Sequence, residues 1–487
     1  MKKTLIFFIS SLLILLLVLF INTWLHTPLE REQYLLHKID LDKKTIVQHM
    51  SEAIQFQTIS SSQKPISETS FNQFVDWLKQ TYPILFRKFE TQQVEGYSLF
   101  LKWQGSNESL KPILLTAHYD VVPVISGTES LWRYPPFSGE IAEGYVWGRG
   151  ALDDKGAVIS MLEAASKLEQ QGFQPERSIY FSFGHDEELG GANGAGKVVE
   201  FAKNSHIQFL WSLDEGAFLF EGMIPGVEKI MGTINVAEKG SVTLKVIATS
   251  EGGHSSMPPK HTAVGILADA LIKLEKNPMP GGLDGLSSYL LDVASRYMPF
   301  SKRMLFANQW LFKKIIEDKL YDSVVMKAQM ITTTAPTMLS ASPKANVLAI
   351  EAVATVNFRI HPRDSIKSIT EHVNLVINNP NVRVEQVDGW GNPASRVSSI
   401  ESEGYKTLVQ STYEIHDSVV LTPGLMIAAS DSRHYSKISD NSYRFNPMLV
   451  TRDDIASFHG TNEKVSINNL ILATKIYSRI MVNGSKK

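Results

Sequence analysis

The sequence predicts an α/β fold with a largely parallel sheet, split by an inserted α+β domain. Three observations predict it. First, residues 110–220 read as strand, helix, strand, helix, strand, the order of a layered parallel sheet. Second, the strands there are continuous apolar runs, as in "PILLTAH" and "SIYFSFG", which suits strands covered on both faces. Third, the pattern changes near residue 240 to strict alternation, which suits a sheet with one wet face.

Taken in order, the chain opens with "MKKTLIFFISSLLILLLVLFINTWL". Lys2 and Lys3 precede an uncharged run from Leu5 to Leu25, and about 20 such residues cross a bilayer core. No small-x-small cleavage site follows, and Trp24 suits a membrane interface. Residues 1–27 therefore read as a signal anchor, with a cleaved signal peptide as the alternative. Either way the remainder lies outside the cytoplasm. The first part of the main domain is expected over 28–237. Within it Val158, Met161, Leu162, Ala165 and Leu168 form a helical stripe that Gly172 stops. "FLWSLDEG" is the third strand of the series. The insert is expected over 238–392. Val242, Leu244, Val246 and Ala248 alternate with polar residues, as do Ala352, Ala354, Val356, Phe358 and Ile360. A stripe of Ile366, Ile369, Val373 and Val376 marks a helix between strands. Residues 393–487 return to the main domain and end in an amphipathic helix near Ile467 to Met481.

Composition narrows the function. A chain of 487 residues with 43% hydrophobic content holds more than one core. A formal net charge of -2 argues against a general nucleic-acid binder. There are no cysteines, so disulfides and thiolate metal sites are excluded.

The candidate ligands sit at the carboxyl ends of strands, where open α/β sheets build sites. His118 and Asp120 follow one strand in "LLTAHYDVVP". Asp153 lies in "GRGALDDKG", Glu187 and Glu188 in "FGHDEELGG", Asp214 and Glu215 in "SLDEG", and His459 in "SFHGTNE". Alone, each is weak, because acidic residues at loop starts are usually caps or solvated charges. In series they point to a metal centre. Two imidazoles with several carboxylates suit zinc, with cobalt or manganese as alternatives. One carboxylate can bridge two ions, and a carboxylate left off the metal can move protons.

The run "PPFSGEIAEGYVWGRGALDDKG", then "GHDEELGG", "LDEGAFLFEGMIPG", "VAEKGSVTL" and "GHSSMPP", resembles the di-zinc aminoacylase and carboxypeptidase family. It is most similar to the branch holding carboxypeptidase S and the N-fatty-acyl-amino-acid synthase/hydrolases. The resemblance implies a zinc-exopeptidase-like catalytic domain with a lid and dimerisation insert. It also implies two zinc ions. His118 would be a ligand and Asp153 the bridge. Glu188 and His459 would complete one site, and Asp214, with Glu215 as the neighbouring alternative, would complete the other beside His118. Glu187 would be the general base, and Asp120 would orient His118.

In the insert, "GGHSS" puts His254 where relatives reach across a homodimer to stabilise an oxyanion. "KANVLAIEAVATVNFRI" nominates Asn346 and Arg359 for substrate, although Leu348-Ala349 replaces the more usual Ile-Pro. "AASDSRHY" nominates Arg433 as a carboxylate contact. The implied reaction is hydrolysis of an amide next to a free carboxylate, in a short peptide or an N-acyl amino acid. The alternative is a catalytically inactive, membrane-anchored binding protein on the same scaffold. The apolar stretch Ser287 to Ile315 is open to three readings: a channel for a fatty chain, a surface resting on membrane, or ordinary lid core or dimer packing.

Overall fold

A computed structural model describes residues 2–486. Its main sheet has ten strands. Across it run Glu90–Val94, Ser98–Trp103, Ile179–Gly184, Ile113–His118, Phe209–Asp214, Ser439–Arg444, Met231–Glu238, Leu219–Phe220 and Leu449–Val450. Val420–Met426 pairs with Met231–Glu238 off this path. The pairs around Ile113–His118 and Phe209–Asp214 are parallel. The hairpin Glu90–Val94/Ser98–Trp103 adds an antiparallel edge. The sheet is thus mixed and largely parallel, as expected.

Every residue of Ile113–His118 and of Ile179–Gly184 is buried. Both faces are therefore covered, which is why these strands lack alternation. One cover is the helix Lys155–Gln170, which packs against the terminal helix Ile467–Gly484. The predicted stripe Val158, Met161, Leu162, Ala165 and Leu168 is buried. Gly172 follows with φ +73°, a left-handed stop that glycine adopts without penalty.

The second sheet has four antiparallel strands in the order Thr333–Ser340, Glu351–Ile360, Gly240–Thr249, Val382–Asn392. Helices Ala263–Lys276 and Ile366–Ile377 cover one face. Its core contains Val242, Leu244, Val246, Ala352, Val356 and Phe358, the alternating positions. Four further helices run from Gly285 to Met330 within this segment. They form small cores of their own and pack onto the strand Val420–Met426 of the main sheet.

Candidate metal centre

The strands Ile113–His118, Ile179–Gly184 and Phe209–Asp214 end side by side, with His118 paired to Gly184. Their carboxyl ends therefore deliver His118, the Glu187-Glu188 turn and the Asp214-Glu215 turn to one place. Two loops complete it. Asp153 precedes the helix Lys155–Gln170, and its peptide bond to Asp154 is cis. His459 precedes the last strand and helix.

Asp153 stands between two imidazoles. Its Oδ1 lies 3.0 Å from His118 Nε2 and its Oδ2 lies 3.0 Å from His459 Nε2. Each histidine then faces a second carboxylate. His459 Nε2 is 3.3 Å from Glu188 Oε2, and His118 Nε2 is 3.4 Å from Glu215 Oε1. Donor atoms of His118, Asp153 and Glu188 lie within 4.8 Å of one another, as do those of His118, Asp154 and Glu215.

The carboxylate that faces His118 Nε2 is thus that of Glu215, the neighbouring alternative to Asp214. Asp214 is turned inward, where its Oδ1 accepts a hydrogen bond from Thr116 Oγ1 at 2.6 Å. Asp214 is the last residue of its strand and keeps the strand's pleat. Glu215 lies past the strand end and has a longer reach.

Asp120 does more than face the imidazole. His118 Nδ1 lies 3.0 Å from the Asp120 carbonyl and 3.3 Å from its carboxylate. That carboxylate also accepts the backbone N–H groups of Glu187 and Glu188, at 3.1 and 3.2 Å. One buried side chain therefore orients a histidine and pins the turn that carries two glutamates.

Burial and crowding set the charges. Burial pushes the Glu187 carboxyl well above the usual carboxylate range. It does the same to Asp154, helped by Glu215, and lifts Glu215 to about 7. Burial opposes charge on His118, but Glu215, Asp120 and Asp153 outweigh it and hold the imidazole well above its ordinary value. Asp153 and Glu188 raise His459 to about 10. Glu188 Oε1, Asp154 Oδ2 and Asp214 Oδ2 are buried without a hydrogen-bond partner. Buried carboxylate oxygens without donors are costly unless a cation meets them. The donor set, nitrogen and oxygen only, fits a hard or borderline divalent ion.

Several supporting residues gave little sequence signal. Glu463 is fully buried and its Oε1 accepts the N–H groups of Leu152 and Asp153, at 2.9 and 3.2 Å. Its Oε2 pairs with Arg149 at 2.6 Å, and Arg149 also donates to the Gly460 carbonyl at 2.7 Å. The loops of Asp153 and His459 are thereby tied together. Asp431 is buried against Gly191, where a Cβ would come within 1.8 Å of its Oδ1. The "GG" after the glutamates makes room for it. No local pattern in the sequence singles out Glu463. Asp431 stood inside the quoted "SDSRHY".

The remaining expected residues lie around this centre and in the insert. Arg433 Nη2 lies 3.4 Å from where a Cβ on Gly190 would be, next to the Glu187-Glu188 turn. Arg359 is exposed on its strand, in register with Ser241 and Thr333. His254 is exposed on a two-strand ribbon with Val347–Leu348. The Asn346 carbonyl accepts the N–H of Ser255 at 3.1 Å, so His254 and Asn346 share that ribbon. Among the described residues of this single chain, no hydrogen bond or ion pair links His254, Asn346 or Arg359 to the metal centre.

Comparisons with known proteins give the family and the fold. Residues 114–483 match the model of peptidase family M20/M25/M40. The chain is 39% identical to "Probable carboxypeptidase S-like 2" of Dictyostelium discoideum, over 98% of this chain and 94% of that one. It is 34% identical to N-fatty-acyl-amino acid synthase/hydrolase PM20D1 of Xenopus tropicalis, with the same coverage of 98% and 94%. The M20 family metallo-carboxypeptidase Sso-CP2 from Sulfolobus solfataricus shares the fold, with TM-score 0.60 and 17% identity over 90% of this chain and 99% of that one. Human carnosine dipeptidase 1 does so with TM-score 0.57 and 15% identity, over 97% and 99%. With the matched family model spanning the strand ends, both histidines and all the clustered carboxylates, this chain belongs to peptidase family M20/M25/M40 and is an enzyme of the peptidase/aminoacylase type.

Proposed function

We propose that the enzyme hydrolyses amide bonds next to a free carboxylate, using two divalent ions, zinc foremost. The observation that carries this is Asp153, whose two oxygens each face a different imidazole, one at a strand end and one in a loop. His459 and Glu188 would hold one ion and His118 and Glu215 the other, with Asp153 shared. Bound ions would polarise the amide carbonyl and make water more acidic. Glu187 accepts the proton of the attacking water at its carboxylate and delivers it to the leaving nitrogen. Burial holds its carboxyl well above the usual carboxylate range, which suits a group that must take up and release a proton. Asp120 positions Glu187 and Glu188 through their backbone N–H groups.

Arg433 beside the glutamate turn, with Arg359 and Asn346 of the insert, supplies partners for the substrate carboxylate. His254, exposed in the single chain, fits service to the site of a partner subunit in a homodimer. A cavity of about 200 Å³ begins at Gly216, next to Glu215. Ala217, Phe218, Phe220, Leu425 and Met426 line it, with Leu290 from the helical insert. These apolar walls favour an N-acyl amino acid, and relatives named N-fatty-acyl-amino acid synthase/hydrolase point the same way. A peptide substrate is the second reading, favoured by the 39% identity to a carboxypeptidase S-like protein. The helix Lys2–Leu25 is long and apolar enough to cross a membrane. We read it as a retained anchor with the catalytic part outside the cytoplasm.

The test is metal content and turnover on a paired panel of Gly-first dipeptides and of N-oleoyl and N-acetyl forms of Phe and Leu. About two zincs per chain with preference for oleoyl substrates is the expected result. Preference for dipeptides would establish the second reading. Absence of both metal and turnover after zinc is restored would overturn the proposal in favour of an inactive binding scaffold.

A further inference from the structure

The helix Lys2–Leu25 does not project freely from the molecule. Its last two turns pack on the helix Phe300–Ala307 and on Asn308, the residue that precedes the helix Gln309–Tyr321. Asn308, fully buried, is the centre of the contact. Its Nδ2 donates to the Leu19 carbonyl at 3.2 Å, and its Oδ1 accepts from Asn22 Nδ2 at 2.9 Å and from Trp310 Nε1 at 3.3 Å. His26 Nε2 lies 2.8 Å from Ser295 Oγ, and Arg296 donates to the Thr27 carbonyl at 2.9 Å. Phe20 packs on Phe300 with ring centroids 5.5 Å apart.

This contact fixes a depth. Leu19 lies six residues before the helix end at Leu25, about 9 Å along the axis at 1.5 Å per residue. A hydrocarbon core takes up about 20 residues. With Lys2 and Lys3 on the cytoplasmic side, Leu19 is inside the far boundary of that core. Whatever bonds the Leu19 carbonyl must reach the same depth. The insert therefore cannot stand clear of the bilayer while the contact holds.

The insert's surface agrees. Trp310, Leu311 and Ile315 are 61%, 44% and 56% exposed on one side of the helix Gln309–Tyr321. Trp310 is itself bonded to Asn308, so this face continues the surface of the anchor. Lys313 borders it, and Lys314 lies within it, between Trp310 and Leu311 around the helix. Lys313 and Lys314 pair with Glu317 and Asp318, so the attraction is to the apolar layer and not to anionic headgroups. Tryptophan between apolar and charged residues is the composition of a helix lying in a membrane interface.

We propose that the helical insert is a second membrane contact. Its Trp310, Leu311 and Ile315 face seats at the headgroup and acyl boundary of the leaflet that the anchor leaves. The proposal rests on the reading of Lys2–Leu25 as a retained anchor. It leaves the wall residue Leu290 of the cavity beside the metal centre on an element held at the membrane surface.

The chain has no cysteines, so single-cysteine variants of the full-length protein take one spin label each. Leu311→Cys and Ile315→Cys would be compared in phosphatidylcholine vesicles with Leu375→Cys, on the exposed face of the lid helix Ile366–Ile377. The expected result is flotation with the vesicles. Labels at 311 and 315 should collide with oxygen severalfold more than with a water-soluble nickel complex, and the label at 375 should show the reverse. Flotation with all three labels in water would overturn the proposal and leave the anchor standing. Labels shielded from both quenchers would mean contact with a second copy, which also overturns it. Failure to float would overturn proposal and anchor together. Should a labelled variant lose turnover, the native chain answers. Lipids brominated near the headgroup should quench its fluorescence more than that of Trp310→Phe, and equal quenching would overturn the proposal.

Discussion

At the scale of single residues, the centre gives neighbouring carboxylates distinct positions. Glu187 and Glu188 are adjacent, yet only Glu188 reaches His459. Glu187→Gln should lower turnover by about 10²–10⁴-fold, the range for a lost general base, while metal content measured by mass spectrometry stays near wild type. A fully active Glu187→Gln enzyme would remove it from the reaction. The pair Asp214 and Glu215 can be separated the same way. Glu215→Gln should weaken zinc binding about 10–100-fold or more, as loss of a ligand or of its close support does. Asp214→Asn keeps an acceptor for Thr116 and should cost less affinity, read by competition with a chromogenic chelator.

At the scale of elements, two ties matter. Glu463 joins the turn before the helix Lys155–Gln170 to the His459 loop through Arg149. Glu463→Gln would leave Arg149 buried without its counter-charge, a loss of about 3–5 kcal/mol in comparable pairs. Denaturant unfolding should show it, and metal affinity should fall as Asp153 and His459 loosen. The second tie is in the lid. His361 follows the strand Glu351–Ile360 and is 8% exposed. Burial, Arg363 and Lys239 lower its pKa from 6.5 to about 3. The unfolded chain thus binds a proton that the folded lid refuses between these values. Stability from this group is whole above about pH 6.5 and is lost as pH falls toward 3, on the order of a few kcal/mol. His361→Asn should flatten that loss relative to wild type when melting temperature is followed against pH.

At the scale of the whole molecule, the proposed catalytic residues are divided between the main sheet and the lid. Glu187 belongs to the first and His254 to the second. If His254 serves a partner's site, Glu187→Gln and His254→Ala chains should each be nearly inactive alone. Mixed during expression, they should recover roughly a quarter of wild-type turnover, because half the dimers are hybrids with one intact site. No recovery in verified hybrids would place His254 in its own chain's site or outside the chemistry.

The sequence alone was enough to determine the layered α/β domain, the alternating lid sheet, the apolar N-terminal helix and the family. Each depends on local periodicity or on contiguous motifs, and both survive in one dimension. "PILLTAH" had to be a covered strand, because all its residues are apolar or small up to the histidine. The candidate ligands were legible because sheet topology sends strand ends to one edge. Only the tertiary structure decided which of Asp214 and Glu215 turns to His118, since the pleat that assigns faces stops at the strand end between them. It also decided the hold of Asp120 on the Glu187-Glu188 turn and the work of Glu463, whose partner Arg149 lies some 300 residues away along the chain. The hold of Asn308 on Leu19 is of the same kind, because two helices 289 positions apart share no pattern. Their contact exists only once the chain has closed.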